Sequence, residues 1–301
     1  MGTPVYRRHL LIFIVLGALG SLNCVFGTSS AEHSSCVGFR VFFDFLGVGA
    51  GLMVASLPWL WGRRLMGFGW QRGTGFRKDP LVPLILVADP HWHDSLLGLE
   101  EARSTYPGAD WLFLGDLFDV WVGVPGSHSD LEQEFLAWVK KLRSNGAWVG
   151  LWLGNREFFL DYLSDQFDLM GEGAGGQLIV EGLCWEHGDL VDGTDWRYRI
   201  WALLSRSGIA WVLVRVLPKC LIDKVVDFLK LTIRSRHDSR KLRFPDRVFT
   251  QVASTYRGKT FITGHFHIYR ICGNGISLPW AKNGKFMVWY KGNIRPLDSI
   301  K

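Results

Sequence analysis

The sequence predicts a layered α/β domain with β-sheets at its centre, preceded by a hydrophobic N-terminal region. Two observations predict the domain. From Leu84 onward short apolar runs alternate with amphipathic stretches, and polar clusters repeatedly follow the ends of those runs. A third observation separates the first 80 residues, which contain two long apolar runs instead. A chain of 301 residues is long enough for a sizeable core with appendages.

The first 80 residues are predicted to anchor the chain in a membrane. Residues 10–27 are almost wholly apolar and long enough to span a bilayer core of ~30 Å, and residues 41–61 form a second apolar run. Basic residues flank the outer ends of both runs, whereas the loop 28–39 contains no Lys or Arg. The positive-inside bias therefore predicts a hairpin with both ends in the cytoplasm. Two alternatives stay open: residues 1–27 could be a cleaved signal peptide, and residues 41–61 could lie on the membrane surface.

The remainder, residues 81–301, is predicted to be one domain whose elements alternate. Strands are expected where short apolar runs occur, at 84–87, 111–114, 147–153, 178–180, 183–186, 261–263, 268–272 and 285–291. Helices are expected at 97–105, from Ser129 to Asn145, and at 158–167, with a turn at 171–176. The helix after Ser129 has the clearest start, because Ser129 and Glu132 have capping-box spacing. Strands 178–180 and 183–186 are expected to pair as a hairpin.

Residues 196–252 contain no strand signal and predict a helical insertion. Residues 196–217 are aromatic and aliphatic nearly throughout, and residues 221–236 are amphipathic. Basic residues occupy the opposite surface of that amphipathic stretch: Lys219, Lys224, Lys230, Arg234 and Arg236. Part of the insertion must pack on the core, and we also expect an apolar, basic cap over the polar clusters. Such a cap suits a substrate with acyl chains and phosphates, or an anionic leaflet.

The polar clusters that follow predicted strands contain the candidate metal ligands. These oxygen and nitrogen donors are Asp89, His91, Asp116, Asn155, His187, His265 and His267. Asp89 and His91 lie two positions apart, so in extended backbone both point to one side. Carboxylate, amide and imidazole groups without thiolates suit Mn²⁺, Zn²⁺ or Fe²⁺. The set predicts two divalent cations ~3.5–4 Å apart, with Asp116 as the carboxylate that bridges them.

In their order these clusters resemble the motifs of the calcineurin-like metallophosphoesterases: D-x-H, G-D, G-N-[HR]-[DE], H and G-H-x-H. The resemblance implies a layered β-sandwich flanked by helices. It also implies two metal groups bridged by Asp116: Asp89, His91 and His267 bind one ion, and Asn155, His187 and His265 bind the other.

A narrower resemblance, over residues 82–295, is to the UDP-2,3-diacylglucosamine diphosphatases of lipid A synthesis, LpxH-like enzymes with membrane-attached LpxG-type counterparts. The residues that carry it are Gly115–Trp121, Gly154–Phe158, and His187-Gly188-Asp189 with the later Asp192 and Asp195. It implies hydrolysis of UDP-2,3-diacylglucosamine to UMP and 2,3-diacylglucosamine 1-phosphate, with water attacking the α-phosphorus and Mn²⁺ as the expected metal. It implies catalytic roles for Asp116, Arg156 and His187, and substrate contacts from Asn155, Arg156, Asp192 and Asp195.

The resemblance sets the expected substrate, and the predicted membrane hairpin sets the expected location. The partners are a nucleotide-sugar lipid and membrane lipids, without nucleic acid, and the oligomeric state is left open. The expected location is the inner membrane, with the catalytic domain on the cytoplasmic side. Asp192 and Asp195 have an equal alternative role as caps of the first helix of the insertion.

Arg156 carries much of the substrate prediction, because generic members of the superfamily have His there. Arginine cannot donate a proton at neutral pH, but it can bind phosphate oxygens bidentately and stabilise developing charge. Splitting a diphosphate expels a phosphate monoester, which leaves more readily than an alkoxide, so arginine suits this reaction. The alternative for Arg156 is a surface ion pair with Glu157. Asp119 is expected either to support His91 or to cap the next segment, Trp121 to lie in the core, and His93 to have no role.

Two other functions compete with the diphosphatase. One is a broader metal-dependent phosphodiesterase or nucleotidase, exported after cleavage of the N-terminus. The other is a membrane scaffold without activity, which loss of a ligand would favour; the full ligand set is present.

Overall fold

The computed structural model describes residues 70–73, 77, 79, 81–124, 126–173, 175–178, 182–191, 196–237 and 244–299. All of them belong to one compact unit, Trp59–Lys301. The predicted membrane spans, 10–27 and 41–61, lie outside the described residues. Within the described part of the chain, no helix combines the length and apolar character needed to cross a bilayer.

Strands and helices alternate along most of this unit. In chain order the elements are β1 (Gln71–Gly73), β2 (Leu84–Val87), α1 (Leu99–Thr105), β3 (Asp110–Phe113), β4 (Trp121–Val122), α2 (Asp130–Ser144), β5 (Val149–Leu153), β6 (Glu157–Phe158), a 3₁₀ helix (Leu160–Gln166), β7 (Leu169–Glu172), β8 (Gly176–Leu178), β9 (Leu183–Glu186), α3 (Trp196–Ser205), α4 (Gly208–Val216), α5 (Lys219–His237), α6 (Asp246–Thr255), β10 (Thr260–Thr263), β11 (Arg270–Cys272), β12 (Gly275–Ser277), β13 (Met287–Tyr290) and β14 (Asn293–Pro296). Short 3₁₀ turns lie at Lys282–Gly284 and Leu297–Ser299.

Two mixed sheets form the centre of the domain. The seven-stranded sheet has the order β1-β7-β5-β3-β2-β13-β14, and its four central strands β7, β5, β3 and β2 are parallel. The five-stranded sheet has the order β11-β12-β10-β9-β8, with β12, β10 and β9 parallel. Because parallel strands end at the same edge, the loops after β2, β3 and β5 emerge together, and so do those after β9 and β10.

The sheets pack face to face, with helices on the outside. Along β2, Ile85 and Val87 face the cluster that contains α1 and α2, whereas Leu84 and Leu86 face the second sheet. Trp152 and Trp185 meet between the sheets, edge to face, with ring centroids 6.0 Å apart. Helix α6 covers the outer face of the second sheet through its own apolar cluster. The layers are therefore helix, sheet, sheet and helix. Burial of each large apolar side chain between them stabilises the fold by about 1.5–3 kcal/mol.

The mixed α/β class and most predicted elements agree with the structure. The capping box is confirmed, since Ser129 accepts from the backbone of Glu132 and Glu132 from that of Ser129. The turn predicted at 171–176 is wrong at its start, because β7 continues to Glu172. Gly171 occupies that strand because a Cβ there would lie 2.5 Å from the ring of Trp152. The helix predicted at 158–167 is the shorter 3₁₀ helix.

The predicted insertion, 196–252, contains α3 to α6. Helix α4 begins at an N-cap, Ser207, whose side chain accepts from the backbone of Ala210. In α5, Ile222 is buried, whereas Val225 is 54% exposed. Exposed large apolar side chains are frequent on α4 and α5: Trp211, Leu213, Val216, Leu221, Val225, Phe228 and Leu231.

Candidate metal centre

The seven predicted metal ligands follow the carboxyl ends of five parallel strands. Asp89 and His91 follow β2, Asp116 follows β3, Asn155 follows β5, His187 follows β9, and His265 and His267 follow β10. Backbone hydrogen bonds fix the loops to one another. The amide of Asp89 donates to Gly115 O at 3.1 Å, and the amide of His91 donates to Asp116 O at 3.1 Å.

One group of potential ligands consists of Asp89, His91 and His267, whose ligand atoms all lie within 4.8 Å of one another. The Nε2 atoms of His91 and His267 are 3.2 Å apart. His267 Nε2 is 3.6 Å from Asp89 Oδ1. Two imidazole nitrogens and a carboxylate oxygen thus surround one point, although His91 and His267 are 176 positions apart in the chain.

A second group consists of Asp89, Asp116 and His187, again within 4.8 Å. His187 Nε2 lies 3.6 Å from Asp116 Oδ1 and 3.9 Å from Asp89 Oδ1. Asn155 Oδ1 lies 3.0 Å from His187 Nε2 and 3.1 Å from His265 Nδ1. All seven side chains are therefore brought together. Asp89 belongs to both groups, and the bridging role of Asp116 stays a prediction.

The hydrogen bonds of this cluster leave its ligand atoms available to cations. His187 Nδ1 lies 2.8 Å from Leu114 O. Because a carbonyl can only accept, Nδ1 carries the hydrogen, and in the neutral ring the lone pair is on Nε2, which faces the carboxylates. Among the described residues, Asp89 Oδ1 is a buried oxygen without a hydrogen-bond partner. An oxygen and nitrogen donor set of this kind fits divalent cations.

The electrostatics of the cluster also favour a bound cation. Burial acts to raise the pKa of Asp89, but its interactions with His267, His187 and His265 lower it below its usual value. Burial opposes protonation of His187, yet Asp116, Asp89 and Asp189 raise its pKa to about 9. The same concentration of carboxylates attracts a metal ion, which would replace that proton.

Most of the predicted ligands have an unusual backbone conformation. The residues with positive φ, between 48° and 64°, include Asp89, His91, Asp116, His265 and His267. A non-glycine residue in this region costs about 1–3 kcal/mol, and such residues concentrate at functional sites. Gly154 is required for a different reason, because a Cβ there would lie 2.4 Å from Asp116 Oδ1.

Arg156 lies in the site rather than on the surface. Its side chain is 6% exposed, its Nε is 3.2 Å from Asp116 Oδ2, and its Nη1 is 3.8 Å from Asp119 Oδ1. Its backbone amide also donates to Asp116 Oδ1 at 3.0 Å. The alternative of a surface ion pair with Glu157 is therefore wrong. Asp119 lies beside Arg156. From the sequence, Asp119 was expected to support His91 or to cap the next segment, and this contact was not anticipated.

Glu157 supports the site in a way that the sequence did not reveal. This fully buried carboxylate accepts from the amides of Asp116 at 2.9 Å, Leu117 at 2.6 Å and Gly154 at 2.7 Å. It thereby joins the loops after β3 and β5. Burial and the charge of Asp116 raise the pKa of Glu157 to about 7. The only sequence signal was its place in the G-N-[HR]-[DE] motif.

The insertion reaches the site through Arg206, which was also not anticipated. Arg206 Nη2 donates to Gly154 O at 2.5 Å, and Nη1 lies 3.8 Å from Asp189 Oδ2. Tyr198, on α3, donates its hydroxyl hydrogen to Asp189. These contacts connect α3 to the loops that carry Asn155 and His187.

The remaining candidates from the sequence are Trp121, His93, Asp192 and Asp195. Trp121 is fully buried, as expected for a core residue. The side chain of His93 is 55% exposed, beside Asp94 and outside the ligand set. Asp192 and Asp195 lie outside the described residues, so their substrate contacts stay predictions.

Comparisons with known proteins are consistent with this site. No protein-family model matches the chain. The chain is similar to a curated protein named UDP-2,3-diacylglucosamine hydrolase from Ectopseudomonas mendocina (strain ymp), with 25% identity over 163 residues, 51% of this chain and 66% of the relative. The chain thus spans just under two thirds of the relative's length. This similarity supports the resemblance that the motifs indicated.

Proposed function

We propose that this protein hydrolyses the diphosphate of UDP-2,3-diacylglucosamine, releasing UMP and 2,3-diacylglucosamine 1-phosphate. The observation that carries the proposal is the convergence of seven predicted ligand side chains, from two sheets, at one site that contains the buried Asp89. Divalent cations bound there, which we propose to be two Mn²⁺ ions, would activate a water molecule and withdraw charge from phosphate oxygens. The name of the similar protein supports the choice of substrate.

Arg156 supports cleavage at a diphosphate rather than at an alkyl ester. Its guanidinium group lies against Asp116, within reach of any phosphate that binds at the second ligand group. An arginine side chain cannot serve as a general acid for an alkoxide leaving group. It can bind two oxygens of the departing 2,3-diacylglucosamine 1-phosphate and stabilise the charge that develops on them.

The exposed surface of the insertion supports a lipid substrate. On α5, Phe228 and Leu231 are each 68% exposed, and on α4 Val216 is 60% exposed. Lys219 and Lys224 also lie exposed on α5, with Lys219 beside Asp223. Exposed apolar side chains rimmed by positive charge are typical of surfaces that meet anionic lipids. Arg206 connects this insertion to the loop that carries Asn155 and Arg156, which fits a cap that binds acyl chains beside the metal centre.

We also propose that residues 10–27 and 41–61 tether the enzyme to the inner membrane, with its catalytic domain on the cytoplasmic side. The support is the apolar character of both runs and the basic residues outside them. A reporter that is active only in the cytoplasm, fused after residue 80, should be active. An active exported reporter would instead favour a periplasmic phosphodiesterase.

The decisive experiment is direct. Full-length protein in a mild non-ionic detergent is incubated with Mn²⁺ and UDP-2,3-diacylglucosamine, and UMP release is followed. We expect UMP and the lipid monophosphate in equal amounts, and no release after chelation. UDP release would contradict attack at the α-phosphorus, and absence of any product with the full set of divalent metals would refute the proposal. The Asp89→Asn variant provides the inactive control.

A further inference from the structure

The segment between β12 and β13 joins the two sheets beside the metal centre. The amide of Leu278 donates to Thr263 O at 2.7 Å, and the amide of Ala281 donates to Ala88 O at 3.0 Å. Each acceptor lies at the end of a strand, just before a ligand-bearing turn. We call residues 278–281 the strap, because one end is bonded to each sheet.

The strap presents an aromatic ring to both imidazoles of the first ligand group. Trp280 stacks on His267, with ring centroids 5.1 Å apart and an interplanar angle of 18°. It also meets His91 edge to face, at 6.0 Å and 67°. The residues at the two ends of the strap, Leu278 and Ala281, are 1% and 2% exposed. The indole is therefore carried by a segment that is anchored on both sides.

A ligand histidine needs its ring plane fixed, because rotation about its terminal torsion is only weakly restricted by the side chain itself. In metal sites the fixing contact usually comes from a group outside the ligand set, and removing it costs about tenfold to a hundredfold in metal affinity. Offset stacking and edge-to-face packing restrict a ring in a comparable way. Here one indole contacts both rings whose Nε2 atoms lie 3.2 Å apart.

We propose that Trp280 is a positioning residue for the metal bound by Asp89, His91 and His267. Its ring holds the planes of His91 and His267 so that both Nε2 atoms converge beside the carboxylate of Asp89. The inference rests on the metal site of the proposed function and is independent of the proposed substrate.

The test compares a variant that keeps a flat ring with one that does not. Mn²⁺ binding to metal-depleted full-length protein is measured by titration calorimetry for wild type, Trp280→Phe and Trp280→Leu. Tyr290→Leu is the matched control, since Tyr290 is a half-buried aromatic residue with Lys291 Nζ 5.1 Å from its ring. Tyr290 follows Trp289, which pairs with Leu84, so it lies at the end of β2 away from the site.

We expect Trp280→Leu to weaken one of the Mn²⁺ sites about tenfold, with Trp280→Phe and Tyr290→Leu close to wild type. Thermal midpoints establish whether each variant is folded. If Trp280→Leu is unfolded, Trp280→Met is measured in its place. If Trp280→Leu bound Mn²⁺ as tightly as wild type, the inference about Trp280 would be overturned, whereas the metal site itself would still be supported. Equal losses in the Phe and Leu variants would also overturn it, because ring stacking would then not matter. If wild type bound no Mn²⁺, the metal site and the proposed function would fail together.

Discussion

Replacing Glu157 with Gln is expected to destabilise the protein and to loosen the metal centre at the same time. Glu157 Oε2 accepts from the amides of Asp116 and Gly154, and Oε1 accepts from the amide of Leu117. A glutamine side chain has one accepting oxygen and one NH₂ group. In either orientation its NH₂ group must therefore face at least one backbone amide that also donates. The change keeps the size of the side chain and alters only its hydrogen-bonding capacity.

The magnitude follows from these contacts. A hydrogen bond to a charged group contributes about 1.5–3 kcal/mol, and a buried unsatisfied donor costs about 1–3 kcal/mol. At a pH above about 7, where the Glu157 carboxylate is ionised, at least one bond is lost and the other two become neutral, so the free energy of unfolding should fall by about 2–4 kcal/mol. Because the freed amides belong to the loops of Asp116 and Asn155, Mn²⁺ affinity should fall about tenfold or more.

Urea denaturation of metal-free, full-length protein in detergent measures the first effect, with a lower midpoint and an unchanged slope. Glu132→Gln is the matched control: Glu132 is also buried and accepts from the amide of Ser129 at 2.9 Å. Glutamine serves in a capping box as well, so this control should cost less than about 1 kcal/mol. An unchanged midpoint in Glu157→Gln, together with wild-type Mn²⁺ affinity, would refute the reasoning.

Three further variants test the site. Asp116→Ala should abolish UMP release with Mn²⁺, Zn²⁺ or Fe²⁺, and substantial turnover with any of them would exclude Asp116 as a metal ligand. Arg156→His should reduce turnover of UDP-2,3-diacylglucosamine more than that of an activated aryl phosphate; equal losses would remove Arg156 from recognition of the diphosphate. Arg206→Met, which removes the contacts with Gly154 and Asp189, should lower kcat/KM about tenfold, with partial recovery in Arg206→Lys. Wild-type kinetics in Arg206→Met would show that the contact of the insertion with the site has no functional role.

The local part of this site could be predicted from the sequence. Each ligand lies within a few residues of a buried strand, and the alternation of apolar runs with polar clusters marks such strand ends. Ser129 and Glu132 illustrate the same point for a helix, because a capping box depends only on residues three positions apart. Such short-range sequence signals place Asp89, Asp116 and His187 at the ends of strands, but they do not predict which strand ends lie close together in the fold.

The contacts that could not be predicted are those between segments distant in the chain. Gly171 was expected in a turn, because glycine usually indicates one, whereas its small size accommodates the Trp152 ring within the sheet. Glu157, Arg206 and Trp280 contact the site through partners whose proximity depends on how the two sheets pack. No periodicity in the sequence encodes that packing, and only the family resemblance linked the clusters in advance.

The backbone of the ligands explains why these distant contacts matter. Asp89, His91 and Asp116 have φ between 48° and 52°, a conformation that each would abandon in an isolated loop. The surrounding bonds hold the loops in place: the amide of Asp89 is bonded to Gly115 O, and the carboxylate of Glu157 is bonded to the amide of Asp116. Since the strain is distributed over both sheets and offset by bonds outside the ligand set, the geometry of the centre depends on residues that never touch a metal. Substitutions at those residues should therefore alter metal affinity together with the stability of the fold.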